Sequence, residues 1–153
     1  MRALELKIPP PVVVLFLAVA MWLLPSAAGV VPMPHGARIA AGLLLTFIGQ
    51  AIAVSGMVAF RRARTTVNPL DPGSASSLVR TGVYRFTRNP MYVGWLLSLT
   101  GWAIFLAHAI PFLALPVFIW YITQFQIKPE ERALASLFGA EFIEYMSHVR
   151  RWA

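Results

Sequence analysis

A chain of 153 residues with 58% hydrophobic and 12% charged side chains is too apolar for an ordinary soluble domain, where about 25% of residues are charged; the composition points to one membrane domain over residues 1–153. Thirteen basic against six acidic residues leave a net charge of +7, but the arginines gather beside apolar runs and no nucleic-acid motif accompanies them, so the charge reads as a topology signal and no nucleic-acid partner is expected. The absence of cysteine excludes disulfides, thiolate metal sites and a cysteine nucleophile, and His35, His108 and His148 are too scattered to pair on a metal, so no metal is expected.

The first apolar run, residues 11–31, carries no formal charge and is long enough to cross a hydrocarbon core about 30 Å thick. A signal peptide is the competing reading, since Arg2 and Lys7 precede the run and Ser26-Ala27-Ala28 end it. Glu5 and the prolines Pro9, Pro10 and Pro11 argue against cleavage and favour a retained span that Pro25 bends or ends. The second span, residues 37–60, has an ordered face: Gly42, Thr46, Gly49, Ala53 and Gly56 follow a four-three-four-three spacing that lines small side chains along one stripe for a close helical neighbour. Gln50 lies near its middle, where a helix-to-helix hydrogen bond is expected rather than a functional amide.

Arg61, Arg62 and Arg64 end this span and open a loop, residues 61–89, with turn signals at Asn68-Pro69, Asp71-Pro72-Gly73 and Ser74 to Ser77. Six arginines between Arg61 and Arg88 place the loop in the cytoplasm, and with four spans both termini lie there too. Asn89-Pro90 opens a third span, residues 90–107, with proline in the first turn. Gly94, Ser98 and Gly101 repeat the small-residue spacing, which makes this helix the candidate partner of the second span. The chain reverses around His108 to Pro111 into a fourth span, residues 111–127, kinked by Pro116. Both last spans are short for a bilayer and suggest a tight hairpin that thins the membrane or sits near its cytoplasmic side.

In the C-terminal segment, residues 128–153, Pro129 starts a further helix with Glu130 and Glu131 in its first turn, where negative charge meets the positive helix end. Leu134, Leu137 and Phe138 form its apolar face, Gly139 interrupts, and Phe142, Tyr145, Met146 and Val149 continue the pattern. This segment reads as amphipathic helix lying on the membrane or packed over the site, with Arg150, Arg151 and Trp152 as an interface anchor. The expected fold is therefore an all-α integral membrane protein with about four transmembrane helices and a C-terminal amphipathic helical segment.

Two polar stretches stand out as halves of one site at the membrane surface. Ser77 to Tyr92 is rich in arginine and tyrosine and suits an anionic or π-face partner; Glu130 and Glu131 suit a cation. Each residue has a structural reading when taken singly, as topology signal, interface anchor or helix-dipole residue. A helical hairpin with both ends at one face, however, brings Tyr92 and Glu130 together.

Gly82-Val83-Tyr84-Arg85, Arg88-Asn89-Pro90-Met91-Tyr92-Val93-Gly94, Gly101-Trp102, and Glu130-Glu131 followed by Leu134, Phe138-Gly139 and Tyr145 resemble the isoprenylcysteine carboxyl methyltransferase and phospholipid methyltransferase group, in order and spacing, from roughly Leu78 to Trp152. The resemblance implies S-adenosyl-L-methionine as methyl donor. By matching position, the backbone around Ser77, Leu78 and Val79, the ring of Tyr84 and the turn Asn89-Pro90-Met91-Tyr92 would surround it, and Glu130 would bind it from the other side. Arg88 is expected to bind the donor's carboxylate or an anionic acceptor, and Glu131 or water held by Arg88 to assist deprotonation of the acceptor. The chain departs from the eukaryotic carboxyl methyltransferases at Asn89, where they carry His, and at Gln126, where they carry an Arg thought to meet the substrate carboxylate. Gln126 is thus the candidate substrate residue, and amines and thiols stay open as acceptors beside prenylcysteine carboxylates. The expected activity is methyl transfer to a membrane lipid or lipophilic small molecule at a cytosolic active site of a multi-pass protein. A nicotinamide-dependent reductase on a related scaffold lacks a dinucleotide motif here, and a non-enzymatic membrane scaffold is the remaining rival.

Overall fold

The computed structural model describes residues 5–24, 29–65 and 70–153. Among these, six α-helices follow one another: α1 (Pro10–Leu23), α2 (His35–Arg62), α3 (Pro90–Leu106), α4 (Ala114–Ile122), α5 (Lys128–Phe138) and α6 (Ala140–His148). Short 3-10 turns occupy Pro72–Ser74, Gly82–Arg85 and Ile110–Leu113. No strand occurs among the described residues beyond an isolated bridge between Val30 and His108.

The small-residue stripes of α2 and α3 meet as their spacing predicts. A Cβ added at Gly49 would lie 2.4 Å from the Gly94 carbonyl oxygen, and one at Gly94 would lie 2.3 Å from that of Gly49. The contacts run in reverse order, Gly42 against Gly101, Gly49 against Gly94 and Gly56 against Pro90, so the two helices are antiparallel. In lipid, where hydrophobic burial does not drive helices together, such backbone approach supplies the packing. Gln50 takes the structural role, donating from Nε2 to Ser98 Oγ at 2.9 Å.

The opposite side of α3 faces α1 and α4. Leu99 and Ala103 of α3, Met21 of α1 and Phe118 and Ile122 of α4 are buried together, and Trp102 Nε1 donates to the Ala18 carbonyl at 3.0 Å. Helix α3 is thus the shared neighbour of the other apolar helices.

Two helical stretches, His35–Arg62 and the continuous Ile110–Phe138, are long and apolar enough to cross a membrane. At 1.5 Å per residue, the 14 residues of α1 and the 17 of α3 reach about 21 and about 26 Å, short of a hydrocarbon core of about 30 Å. The expected first span, residues 11–31, is helical only to Leu23. Pro25 and Ser26-Ala27-Ala28 lie outside the described residues, as do Arg2 and Asn68-Pro69.

The last hairpin differs from expectation. The fourth helix neither ends at Ile127 nor restarts at Pro129 but runs on through a π turn, Thr123–Ile127, into α5. Pro129 cannot donate to the residue four before it, Phe125, and the wider turn immediately upstream absorbs the missing bond. The Phe125 carbonyl accepts instead from the Leu6 N–H at 3.0 Å, which docks the N-terminal segment on this turn. Pro116 sits at the third position of α4, just past the 3-10 turn Ile110–Leu113 that leads into it. Gly139, at φ +51° and ψ −125°, breaks α5 from α6, a conformation that a side chain would strain.

Valine at Gly49 or Gly94 has to push apart two backbones rather than a flexible side chain. Either substitution should lower stability by about 3 kcal/mol or more, the upper end of overpacking costs, whereas Gly36→Ala, with nothing within 4 Å of the new Cβ, should stay within about 0.5 kcal/mol. Thermal unfolding in detergent tests this, and a Gly49→Val protein that melts with the wild type would contradict the close approach.

Candidate functional site

Helix ends and one loop build a cleft at the same end of the bundle. Because α3 and the long last helix form an antiparallel hairpin, Tyr92 near the start of α3 meets Glu130 in α5, and the phenol donates to Glu130 Oε1 at 2.5 Å. The end of α2 contributes Phe60, α5 adds Glu131 and Leu134, and α6 lays Phe142 and Tyr145 across the opening. The loop returns Ser77, Leu78, Val79 and Tyr84 to the wall. The empty space amounts to about 860 Å³ when the open mouth is included.

Each wall is held by identifiable contacts. Ser77 is anchored to the end of α2, its Oγ donating to the Ala63 carbonyl at 3.1 Å and its N–H to Thr65 Oγ1 at 3.4 Å. After it, Leu78 and Val79 have no hydrogen bond on their backbone groups among the described residues, although Val79 is buried. Tyr84 is carried inward by the 3-10 turn Gly82–Arg85. Its ring meets Phe60 edge-on at 5.3 Å, and its carbonyl accepts from the Tyr145 hydroxyl at 2.7 Å. Burial, with Tyr145 and Glu130 adding to it, raises the Tyr84 phenol far above its ordinary value; burial pushes Tyr145 up to about 12. Both phenols therefore stay protonated in neutral water.

Glu130 and Glu131, adjacent in sequence, have opposite surroundings. Glu131 is clamped between two guanidinium groups, Arg88 Nη2 at 2.7 Å and Arg151 at 2.7 and 3.0 Å. This contact raises Arg151 above the ordinary arginine value. Glu130 has no cation within salt-bridge distance among the described residues; its hydrogen bond is the one from Tyr92. The cleft wall thus carries a half-buried carboxyl group with no cation beside it among the described residues, a costly arrangement for a charged group.

The clamp extends through the C-terminal tail. Arg88 Nη1 donates to the Met146 and Val149 carbonyls at 2.9 and 2.7 Å, the Arg88 N–H to the Arg150 carbonyl at 3.0 Å, and Thr87 Oγ1 and Asn89 Nδ2 to the Arg151 carbonyl at 3.3 and 2.8 Å. Trp152, expected at the membrane interface, instead turns inward. Its Nε1 donates to Thr123 Oγ1 at 3.2 Å and its ring meets Phe118 at 6.5 Å, because the indole finds both an apolar wall and a hydroxyl there.

Of the residues singled out in the sequence, Ser77, Leu78, Val79, Tyr84, Arg88, Asn89, Met91, Tyr92, Glu130 and Glu131 line this cleft. Pro90 does not; it packs towards Gly56 of α2. Gln126 also lies elsewhere, fully buried, donating to the Ile8 carbonyl at 2.8 Å, because the π turn aims it at the N-terminal segment. Arg88 and Glu131 line the wall, yet their charged groups are spent on each other and on the tail. Phe60, Ile127, Leu134, Phe142, Tyr145 and Arg151 were not anticipated as site residues. The amphipathic spacing of Phe142 and Tyr145 left two covers open, the membrane or the site, and they line the cleft; nothing local to Arg151 pointed to Glu131.

A sequence model of the family described as phospholipid methyltransferase matches residues 37–141. Protein-S-isoprenylcysteine O-methyltransferase A of Arabidopsis thaliana is 29% identical over 108 residues, 71% of this chain and 55% of that protein. The probable protein-S-isoprenylcysteine O-methyltransferase of Oryza sativa subsp. japonica is 31% identical over 71% of the chain and 56% of its own length. An uncharacterized protein of Haemophilus influenzae is 44% identical over 62 residues, 40% of this chain and 98% of that protein. The chain thus spans about half the length of the plant relatives, and no solved structure matches it.

Removing Glu131 leaves Arg88 largely buried without its carboxylate. Glu131→Ala should destabilise the fold by about 3 kcal/mol, as for a broken buried ion pair, and free the tail. A lower melting temperature and faster carboxypeptidase trimming of Trp152 and Arg151 are the expected readouts; unchanged values in both would show that the clamp does not hold the tail.

Proposed function

The chain belongs to the phospholipid methyltransferase family, and on that footing we propose that it transfers a methyl group from S-adenosyl-L-methionine to a lipophilic acceptor at the cytosolic face of a membrane. The observation that carries the proposal is the convergence of Tyr84, Tyr92 and the uncompensated Glu130 carboxylate in one cleft. When bound, the donor supplies a methyl carbon on a positively charged sulfur, open to in-line displacement.

The residues present fit such a donor. The rings of Tyr84 and Tyr92 offer π faces to a cation, each contact worth about 0.5 to 2 kcal/mol. Glu130 pairs with an ammonium group or accepts from ribose hydroxyls. Leu78 and Val79 present free backbone donors and acceptors for a planar heterocycle, and Asn89 and Met91 complete that wall. Arg88 and Glu131 act by fixing the tail and α6 over the cleft, excluding water and holding the reacting groups in line. They are therefore assigned to positioning rather than proton transfer.

The membrane reading extends the two long apolar helices. Since α3 is paired with α2 from Gly101 to Pro90, it shares the depth at which α2 crosses, and α1 packs against α3 at that same depth. This supports about four crossings, with the arginine-rich loop 61–89 and the cleft on the cytoplasmic side and the acceptor arriving from the bilayer. The relatives' names suggest a prenylcysteine acceptor. One observation favours a second class, a phospholipid amine or a thiol. Among the described residues Arg88 is the cleft's sole lining cation, and both its terminal nitrogens are engaged, which leaves an acceptor carboxylate without a free partner.

Calorimetric titration of the detergent-purified protein with S-adenosylhomocysteine tests the site. Glu130→Gln should weaken binding about thirtyfold or more, the ~2 kcal/mol lower end for truncating a charged partner, and Tyr92→Phe should weaken it less while both variants stay folded. Unchanged affinity in both would refute this placement of the cofactor. If binding is established, a screen of prenylcysteines, amines and thiols decides the acceptor.

A further inference from the structure

The turn that carries Tyr84 inward also carries Phe86 outward. Phe86 is 78% exposed, more than any other large hydrophobic side chain among the described residues. Leu43 and Phe47, also strongly exposed, belong to the long apolar helix α2, for which lipid tails are the natural cover. Phe86 lies between Arg85 and Thr87 in a polar segment, and no described residue covers it.

Its level relative to the bundle follows from two contacts. Phe60, the last apolar residue of α2 before Arg61 and Arg62, meets Tyr84 at 5.3 Å, and Pro90 at the start of α3 packs against Gly56. The Gly82–Arg85 turn therefore lies where α2 passes from apolar to basic sequence. That is the depth of lipid headgroups if α2 crosses the bilayer. Arg61, Arg62, Arg64 and Arg85 are all exposed there, and none forms an ion pair among the described residues. The nearby Glu141 is already taken by Arg80 at 3.0 Å, and Asp71 in the adjoining loop leaves a clear cationic excess.

We infer that this edge is an interfacial foot that seats on anionic lipid: Phe86 enters the headgroup layer while Arg61, Arg62, Arg64 and Arg85 meet lipid phosphates. A polybasic edge beside an inserted aromatic is the combination that gives such binding, with each arginine near the surface contributing about a fivefold gain in affinity for anionic lipid. Because Tyr84 and Phe86 belong to one turn, seating the foot also holds the cleft wall at the depth where an amphiphilic acceptor arrives. The inference rests on membrane insertion and not on methyl transfer.

The cysteine-free sequence makes the test clean. Phe86→Cys, and Ser74→Cys as a water-exposed control, are labelled with an environment-sensitive fluorophore in the full chain. Each is reconstituted in vesicles of phosphatidylcholine alone or with roughly a third phosphatidylglycerol. The label at 86 should be several-fold better protected from iodide than the label at 74 and quenched by lipid carrying a nitroxide near the headgroup. Phosphatidylglycerol should strengthen both effects, and the combined Arg61→Gln, Arg62→Gln, Arg64→Gln and Arg85→Gln protein, shown folded by its melting, should lose that strengthening. A label at 86 as open to iodide as the one at 74 would overturn the foot, and protection indifferent to phosphatidylglycerol would overturn its preference for anionic lipid. Neither outcome bears on S-adenosylhomocysteine binding, so the two proposals fail separately.

Discussion

Everything in this fold depends on the backbone approach of α2 and α3 at Gly49 and Gly94. With a carbonyl oxygen of each helix occupying the space where the other's Cβ would stand, the two helices lock in one antiparallel register, and the Gln50 to Ser98 hydrogen bond is the polar complement of that register. Helix α3 then presents its other side to α1 and α4, so the buried cluster around Leu99, Phe118 and Ile122 forms on a foundation already set. The start of α3 is placed beside the end of α2 as a consequence, and that placement gives the cleft its first two walls.

The second organising element is the division of labour between adjacent carboxylates. A helix turns about 100° per residue, so Glu130 and Glu131 point to different neighbours: one to Tyr92 across the hairpin, the other to Arg88 and Arg151. Glu131 is neutralised and holds the tail. Glu130 lines the cleft with no cation beside it among the described residues, which is what suits it to the role proposed for it. A pair that reads in sequence as one acidic patch thus separates into a clamp and a site.

The π turn before Pro129 serves both. It lets one continuous helix pass from the apolar bundle into the polar cleft without the break that proline would otherwise impose, and it releases the Phe125 carbonyl to hold Leu6. The same local widening turns Gln126 away from the cleft towards Ile8, which is why a residue four positions before Glu130 does not face the site. Tail, N-terminal segment and last helix are tied together within a few residues of one another.

Sequence alone was enough to establish the apolar helical class, the matching small-residue stripes, the interruption at Gly139 and the two polar stretches that line the cleft, because each rests on local pattern: hydropathy, a four-three spacing, a glycine inside an amphipathic run, charges next to apolar runs. Tertiary structure decided what depends on partners distant in the chain. Arg88, Glu131 and Arg151 are 43 and 20 residues apart, so no window of sequence shows that they neutralise one another, and Trp152 reads as an interface anchor until Thr123 and Phe118 are seen beside it. The continuity of the last helix through Pro129 was likewise hidden, since a proline reads as a helix start unless the turn before it is known to widen. Pattern can report which residues want burial or charge compensation; only the packed chain determines which of them supply it to each other and which are left to bind something else.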